Sequence, residues 1–124
     1  MIFDENNKAI YLQIVDRISD DIMRGVYGPE SRLPSVREYA ASVEVNTNTV
    51  MRSYDKLSQK GLIYNKRGIG FFVEPDAPEK IAAERTDDVL NRQLPPLFEI
   101  LSLLKVTPDE LKAEYVKYLN SIRK

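Results

Sequence analysis

Two helix-start signals set close together constrain this chain more than any other feature. Ser35-Val36-Arg37-Glu38 is a capping box: the Ser oxygen accepts from the amide three residues on, and the Glu side chain reaches back. Asn46 is a second N-cap, followed by Thr47, Asn48 and Thr49. The helix opened at Ser35 must end by about Ser42, so Ser42-Val43-Glu44-Val45 alone joins the two helices. So short a connection makes helices meet at a steep angle, as in a helix-turn-helix. Val36, Tyr39, Ala40 and Val43 supply the buried stripe of the first helix. Val50, Tyr54 and Leu57, with small Ser53 beside them, supply that of the second, which runs to about Gln59 with Gly61 as its C-cap.

The flanking segments extend this unit. Tyr11, Ile14, Val15, Ile18, Ile22 and Val26 recur at intervals of three and four, which predicts a helix from about Tyr11 to Gly25. Gly25 and Gly28-Pro29 stop it. After Gly61, Leu62-Ile63-Tyr64-Asn65 and Phe71-Phe72-Val73-Glu74 are β-prone runs around Lys66-Arg67-Gly68-Ile69-Gly70, the pattern of a hairpin. The order helix, helix, short turn, helix, hairpin is that of a winged helix-turn-helix domain, expected over residues 1–75. Glu74-Pro75-Asp76-Ala77-Pro78 marks a turn or linker.

A helical tail is expected over residues 76–124, which makes the fold mainly α with a small β-hairpin. Its first helix spans about Pro78 to Lys105 and must kink or break at Pro95-Pro96, because proline removes ladder donors and clashes with the preceding turn. Its last helix opens with Thr107 as N-cap, Pro108, Asp109 and a capping-box Glu110.

Composition excludes much chemistry. There is no Cys and no His, so disulfides, thiol nucleophiles, His general bases and zinc sites with those ligands are ruled out. Asp20-Asp21 and Asp87-Asp88 are adjacent on helices, point about 100° apart and do not share a site. Gly68-x-Gly70 fails the dinucleotide fingerprint, because Val73 stands where the third Gly belongs and no helix follows. An enzyme is therefore not expected, nor a cofactor or metal. The N-terminal MIFDENN has neither a basic nor an apolar signal region, and the apolar stretch Leu97–Leu104 is too short to span a bilayer. A soluble, cytoplasmic protein without a membrane partner is the expectation.

Charge is informative only by region. The totals of 18 Lys and Arg against 19 Asp and Glu leave −1, which alone disfavours a nucleic-acid partner. Between Arg32 and Arg67, however, seven cations (Arg32, Arg37, Arg52, Lys56, Lys60, Lys66, Arg67) face three anions (Glu38, Glu44, Asp55), leaving +4. That basic segment holds the proposed helix-turn-helix and wing, where phosphate contact would occur. With Val50, Tyr54 and Leu57 facing the core, the other side of the third helix carries Asn48, Arg52 and Asp55, flanked by Thr47 and Met51. Asn pairs with adenine, Arg with guanine, and a Thr methyl or a Met can sit against a thymine methyl. Amides at the helix starts near Ser35 and Asn46 favour phosphate oxygens. Lys66 and Arg67 stand at the wing tip.

These residues resemble a known family. Tyr11-Leu12-Gln13-Ile14, Arg32-Leu33-Pro34-Ser35-Val36-Arg37-Glu38, Val45-Asn46-Thr47-Asn48-Thr49-Val50, Gly61-Leu62-Ile63 and Gly68-Ile69-Gly70-Phe71-Phe72-Val73 look like the DNA-binding domain of GntR-type bacterial transcription regulators, over about residues 10–74. The resemblance implies that Arg37 enters the DNA interface from the second helix, that Thr49 belongs to the recognition helix, and that Gly68 and Gly70 are wing glycines. Thr47 stands where many relatives carry Arg, and Met51 where some do. The run from Asn46 to Tyr54 and the short tail resemble the YtrA-type subgroup, which implies DNA contacts for Asn48 and Arg52.

The tail is expected to be too small to enclose a ligand cavity of roughly 300 Å³ or more. Leu97, Phe98, Leu101, Leu104, Leu111, Tyr115 and Leu119 exceed what two helices need to cover each other, so the tail is expected to be the interface of a two-fold homodimer. Packing of that surface back on the first domain in a monomer is the alternative. The functional expectation is a sequence-specific regulator of double-stranded DNA, a repressor on an inverted-repeat operator. Its rival is a winged-helix protein-interaction module that does not bind DNA. No residue set identifies a small-molecule effector.

Overall fold

Helix, helix, turn, helix and hairpin follow one another as expected in the computed structural model, which describes Phe3 and residues 8–123. The elements are α1 (Ile10–Met23), α2 (Val36–Val43), α3 (Thr47–Gln59), β1 (Ile63–Lys66) and β2 (Gly70–Val73). Ile14, Val15, Ile18 and Ile22 of α1 meet Tyr39, Ala40 and Val43 of α2 and Val50, Tyr54 and Leu57 of α3 in one core, closed by Leu62, Ile63 and Val73 of the hairpin. Val26 is a correction. It fits the spacing of the α1 stripe, but it lies beyond the helix end and is 62 % exposed. Gly25 takes φ +82° and redirects the chain before the next turn could form.

Local hydrogen bonds set the helix ends. The Glu38 amide donates to Ser35 Oγ at 3.0 Å and the Ser35 amide donates to Glu38 Oε1 at 2.9 Å, completing the capping box. The turn between α2 and α3 closes on Glu44, which is left-handed, and on the Val45 amide, which donates to the Ala40 carbonyl at 3.0 Å. Asn46 Oδ1 accepts from the Asn48 amide at 2.8 Å and starts α3. At its far end Gly61 takes φ +73°, so that the Leu62 amide reaches the Leu57 carbonyl at 3.0 Å. The buried Ser53 hydroxyl lies 2.8 Å from the Tyr11 carbonyl and ties α3 to α1.

The hairpin pairs Ile63 with Val73, Tyr64 with Phe72, Asn65 with Phe71 and Lys66 with Gly70. The segment before α2 adds a short third edge. Arg32 bridges Phe72, the Leu33 amide donates to the Phe71 carbonyl at 2.9 Å, and the Val73 amide donates to the Ser31 carbonyl at 3.0 Å. The wing is thereby held to the chain that opens the helix-turn-helix. Tyr54 reinforces this from below: its hydroxyl donates to the Pro34 carbonyl at 2.7 Å and its ring meets Phe71 edge-on at 5.1 Å.

The turn at Pro75 leads directly into α4 (Ala77–Asp88). Ala77 and Ile81 are buried in the core described above, and Lys60 Nζ pairs with Glu84 at 2.8 Å. The division into two units falls within α4, after Glu84.

The second unit starts at Arg85. The stretch expected as one kinked helix is α4, a π-helical turn over Val89–Gln93, and α5 (Leu94–Leu103). The Leu94 amide donates to the carbonyl of Val89, five residues back. Widening the turn ahead of Pro95 and Pro96 moves carbonyls out of the path of their rings, since an α-helical ring would meet the carbonyl four residues before it. In α6 (Pro108–Ile122) the Glu110 amide donates to Thr107 Oγ1 at 3.1 Å, as the capping box predicts. Among the described residues, none of the π-helical turn, α5 or α6 is buried.

Candidate nucleic-acid interface

Between α2, the first turns of α3 and the hairpin lies an open groove of about 420 Å³. Arg32, Ser35, Arg37 and Thr47 supply its polar lining, and Val36, Met51, Ile69 and Phe71 its apolar lining. Each is placed by an element already described. Ser35 is fixed by its capping bonds, and Arg37, in the first turn of α2, is exposed. Arg32 crosses the base of the wing beside Gly70. A Cβ on Gly70, which takes φ +142°, would sit 3.0 Å from Arg32 Nε, so the glycine makes room for the guanidinium. Bonds from the Ser35 amide, and then from its hydroxyl, hold the Glu38 carboxyl below the usual carboxylate range, and the charge of Arg32 adds to this.

The other expected contacts lie outside the groove lining. Asn46 and Asn48 are exposed at the start of α3, with Asn46 committed to the cap. Thr49 is half-buried, and its amide donates to the Asn46 carbonyl at 3.1 Å. The Arg52 guanidinium stacks over the Tyr11 ring with Cζ 3.9 Å from its centroid, which restricts a long side chain on the exposed side of α3. On the wing, Lys66 Nζ lies 5.0 Å from the Phe72 ring centroid and Arg67 is exposed. Gly68 takes φ +77° in the turn that the Ile69 amide closes on the Lys66 carbonyl at 2.8 Å.

Of the groove lining, Arg32, Val36, Met51, Ile69, Gly70 and Phe71 are not among the DNA contacts expected from the sequence. Arg32 entered the regional charge, but its approach to Gly70 depends on strand pairing that no local signal announces. Met51 is legible in the sequence on the outer side of α3, as a side chain able to sit against a thymine methyl, but its meeting with Ile69 and Phe71 in one groove is not.

In the tail, Leu97, Phe98, Leu104, Leu111 and Tyr115 are exposed, and Leu101 and Leu119 half-buried. Among the described residues no helix is long and apolar enough to cross a membrane, and no acidic group of three or more is placed to hold a metal ion.

The model of the family described as bacterial regulatory proteins, gntR family, matches residues 10–73. YhcF of Bacillus subtilis, described as an uncharacterized HTH-type transcriptional regulator, is 34 % identical over 107 residues, covering 86 % of this chain and 87 % of that protein. The HTH-type transcriptional repressor YtrA of the same species is 37 % identical over 72 residues, 58 % of this chain and 55 % of its own length. A crystal structure described as a transcriptional regulator of the GntR family from Bacteroides thetaiotaomicron is 45 % identical with a TM-score of 0.82, covering 93 % of this chain and 100 % of that one.

Proposed function

The chain belongs to the GntR family of bacterial regulatory proteins, and from that premise we propose that it is a homodimeric, cytoplasmic repressor that reads an inverted-repeat operator. The family is one of transcription regulators with a DNA-binding domain, not of enzymes. One observation carries the DNA-reading part of the proposal: Arg32, Arg37 and Thr47 line a single groove between α2, the start of α3 and the wing. The start of α3 enters a major groove and the wing tip at Lys66-Arg67 contacts the adjacent backbone or minor groove. YtrA, a repressor by its name, supports the sign of regulation.

The homodimer rests on the tail. Leu104, the C-cap of α5, is 70 % exposed and Tyr115 of α6 63 %, and neither helix has a buried residue among those described. So much apolar surface marks an interaction site, and a second copy offers a matching surface by two-fold symmetry. The operator half-sites then lie about one helical turn apart.

Selection of bound fragments from random duplex DNA tests the reading, with sedimentation of the free protein alongside. We expect an inverted repeat, a dimer, and a steep log–log dependence of affinity on salt. Absence of binding at low salt would overturn the DNA reading. Leu104→Glu, on an exposed side chain, is expected to give a monomer with weakened operator binding; an unchanged dimer would remove the tail as the interface.

A further inference from the structure

The groove carries an apolar surface that phosphate recognition does not call for. Contacts to phosphate and sugar use cations and hydrogen-bond donors, which Arg32 and Arg37 provide. Yet the same groove exposes Met51 at 41 % and Ile69 at 54 %, with Val36 and Phe71 behind them. Met51 lies one helical turn after Thr47, so both project on one side of α3. The Thr47 methyl and the Met51 thioether thus make one apolar strip, rimmed by two guanidinium groups.

Few partners suit an apolar strip with a cationic rim. The rim matches phosphate. In the major groove of DNA the base edges are donors and acceptors, except for one hydrocarbon group, the 5-methyl of thymine. A flexible, polarisable methionine fits around such a small group without a preformed socket.

We propose that Thr47 and Met51 are specificity residues that select thymine at the base pairs facing the first two turns of α3, by covering its methyl group. The proposal rests on the DNA-reading function argued above. It also states what this surface does not do. With no cation at position 47 or 51, those base pairs are not read through the paired acceptors of guanine.

The test uses the full chain and an operator recovered from random duplexes. Each thymine is replaced in turn by deoxyuridine, which removes the methyl and leaves every hydrogen-bonding group in place. We expect one or two replacements per half-site to weaken wild-type binding roughly fourfold, the worth of one buried methyl group. Met51→Ala, at an exposed position where alanine is a good helix former, should bind the thymine operator more weakly and become indifferent to the same replacement. Met51→Leu should restore the discrimination. Failure to recover any operator would overturn the DNA reading itself. An operator on which no deoxyuridine weakens binding would overturn the thymine proposal alone. So would a set of replacements that all weaken wild type and Met51→Ala equally, since no thymine methyl would then be covered by Met51.

Discussion

Tyr54→Phe removes one hydrogen bond and little else. The ring is fully buried, edge-on to Phe71 at 5.1 Å and tilted against Tyr39 at 6.3 Å, and phenylalanine keeps both contacts. What goes is the 2.7 Å bond from the hydroxyl to the Pro34 carbonyl, just before the cap of α2. The cost is about 1 kcal/mol, the typical net worth of one intramolecular hydrogen bond. For a unit of this size that is a fall of roughly 4–8 °C in Tm, measured by far-UV circular dichroism. The difference should also depend on pH. The Tyr54 phenol is raised above its ordinary value, first by burial and then by the charges of Tyr27, Tyr39 and Glu38. A folded-state pKa above the unfolded one stabilises fully below about pH 10 and fades as pH rises through the folded value. The phenylalanine variant has no such group, so the gap between the two proteins should narrow above about pH 10. A Tm equal to wild type at neutral pH, or a gap constant through alkaline pH, would refute the argument.

Three further outcomes are expected. Arg37→Ala should weaken binding about equally across operator sequences and reduce the salt slope by about one, as loss of a phosphate contact does; an unchanged slope in a fluorescence titration would remove Arg37 from the backbone contacts. Gly70→Ala should lower both Tm and affinity, because φ +142° is strained for alanine and the new methyl would lie 3.0 Å from Arg32 Nε; a variant as stable and as tight as wild type would show that Arg32 does not need that space. Ile81→Ala should cost about 2–4 kcal/mol in urea unfolding, because Ile81 is 4 % exposed within the core of the first unit; an unshifted midpoint would mean that α4 packs more loosely there.

What the sequence made legible, and what it did not, follows the range of the interaction concerned. Both capping boxes could be read because donor and acceptor lie three residues apart, so the partners of the Ser35–Glu38 bonds are named by local sequence alone. Val26 misled because its spacing fits the α1 stripe although Gly25, legible as the stop, has already turned the chain before it. Pro95-Pro96 announced an irregular helix but not its form: a break and a wider π-helical turn both relieve the same clash, and the choice lies in neighbouring hydrogen bonds. The candidate interface divides in the same way. The basic segment between Arg32 and Arg67 can be counted from residue order despite a net charge of −1. The groove cannot, because it exists only where β2 pairs with the chain before α2 and Gly70 lets Arg32 pass. Met51 lies at that boundary. Its spacing from Thr47 puts both on one side of α3, but the arrival of Ile69 and Phe71 from the wing turns that side into a groove with an apolar surface.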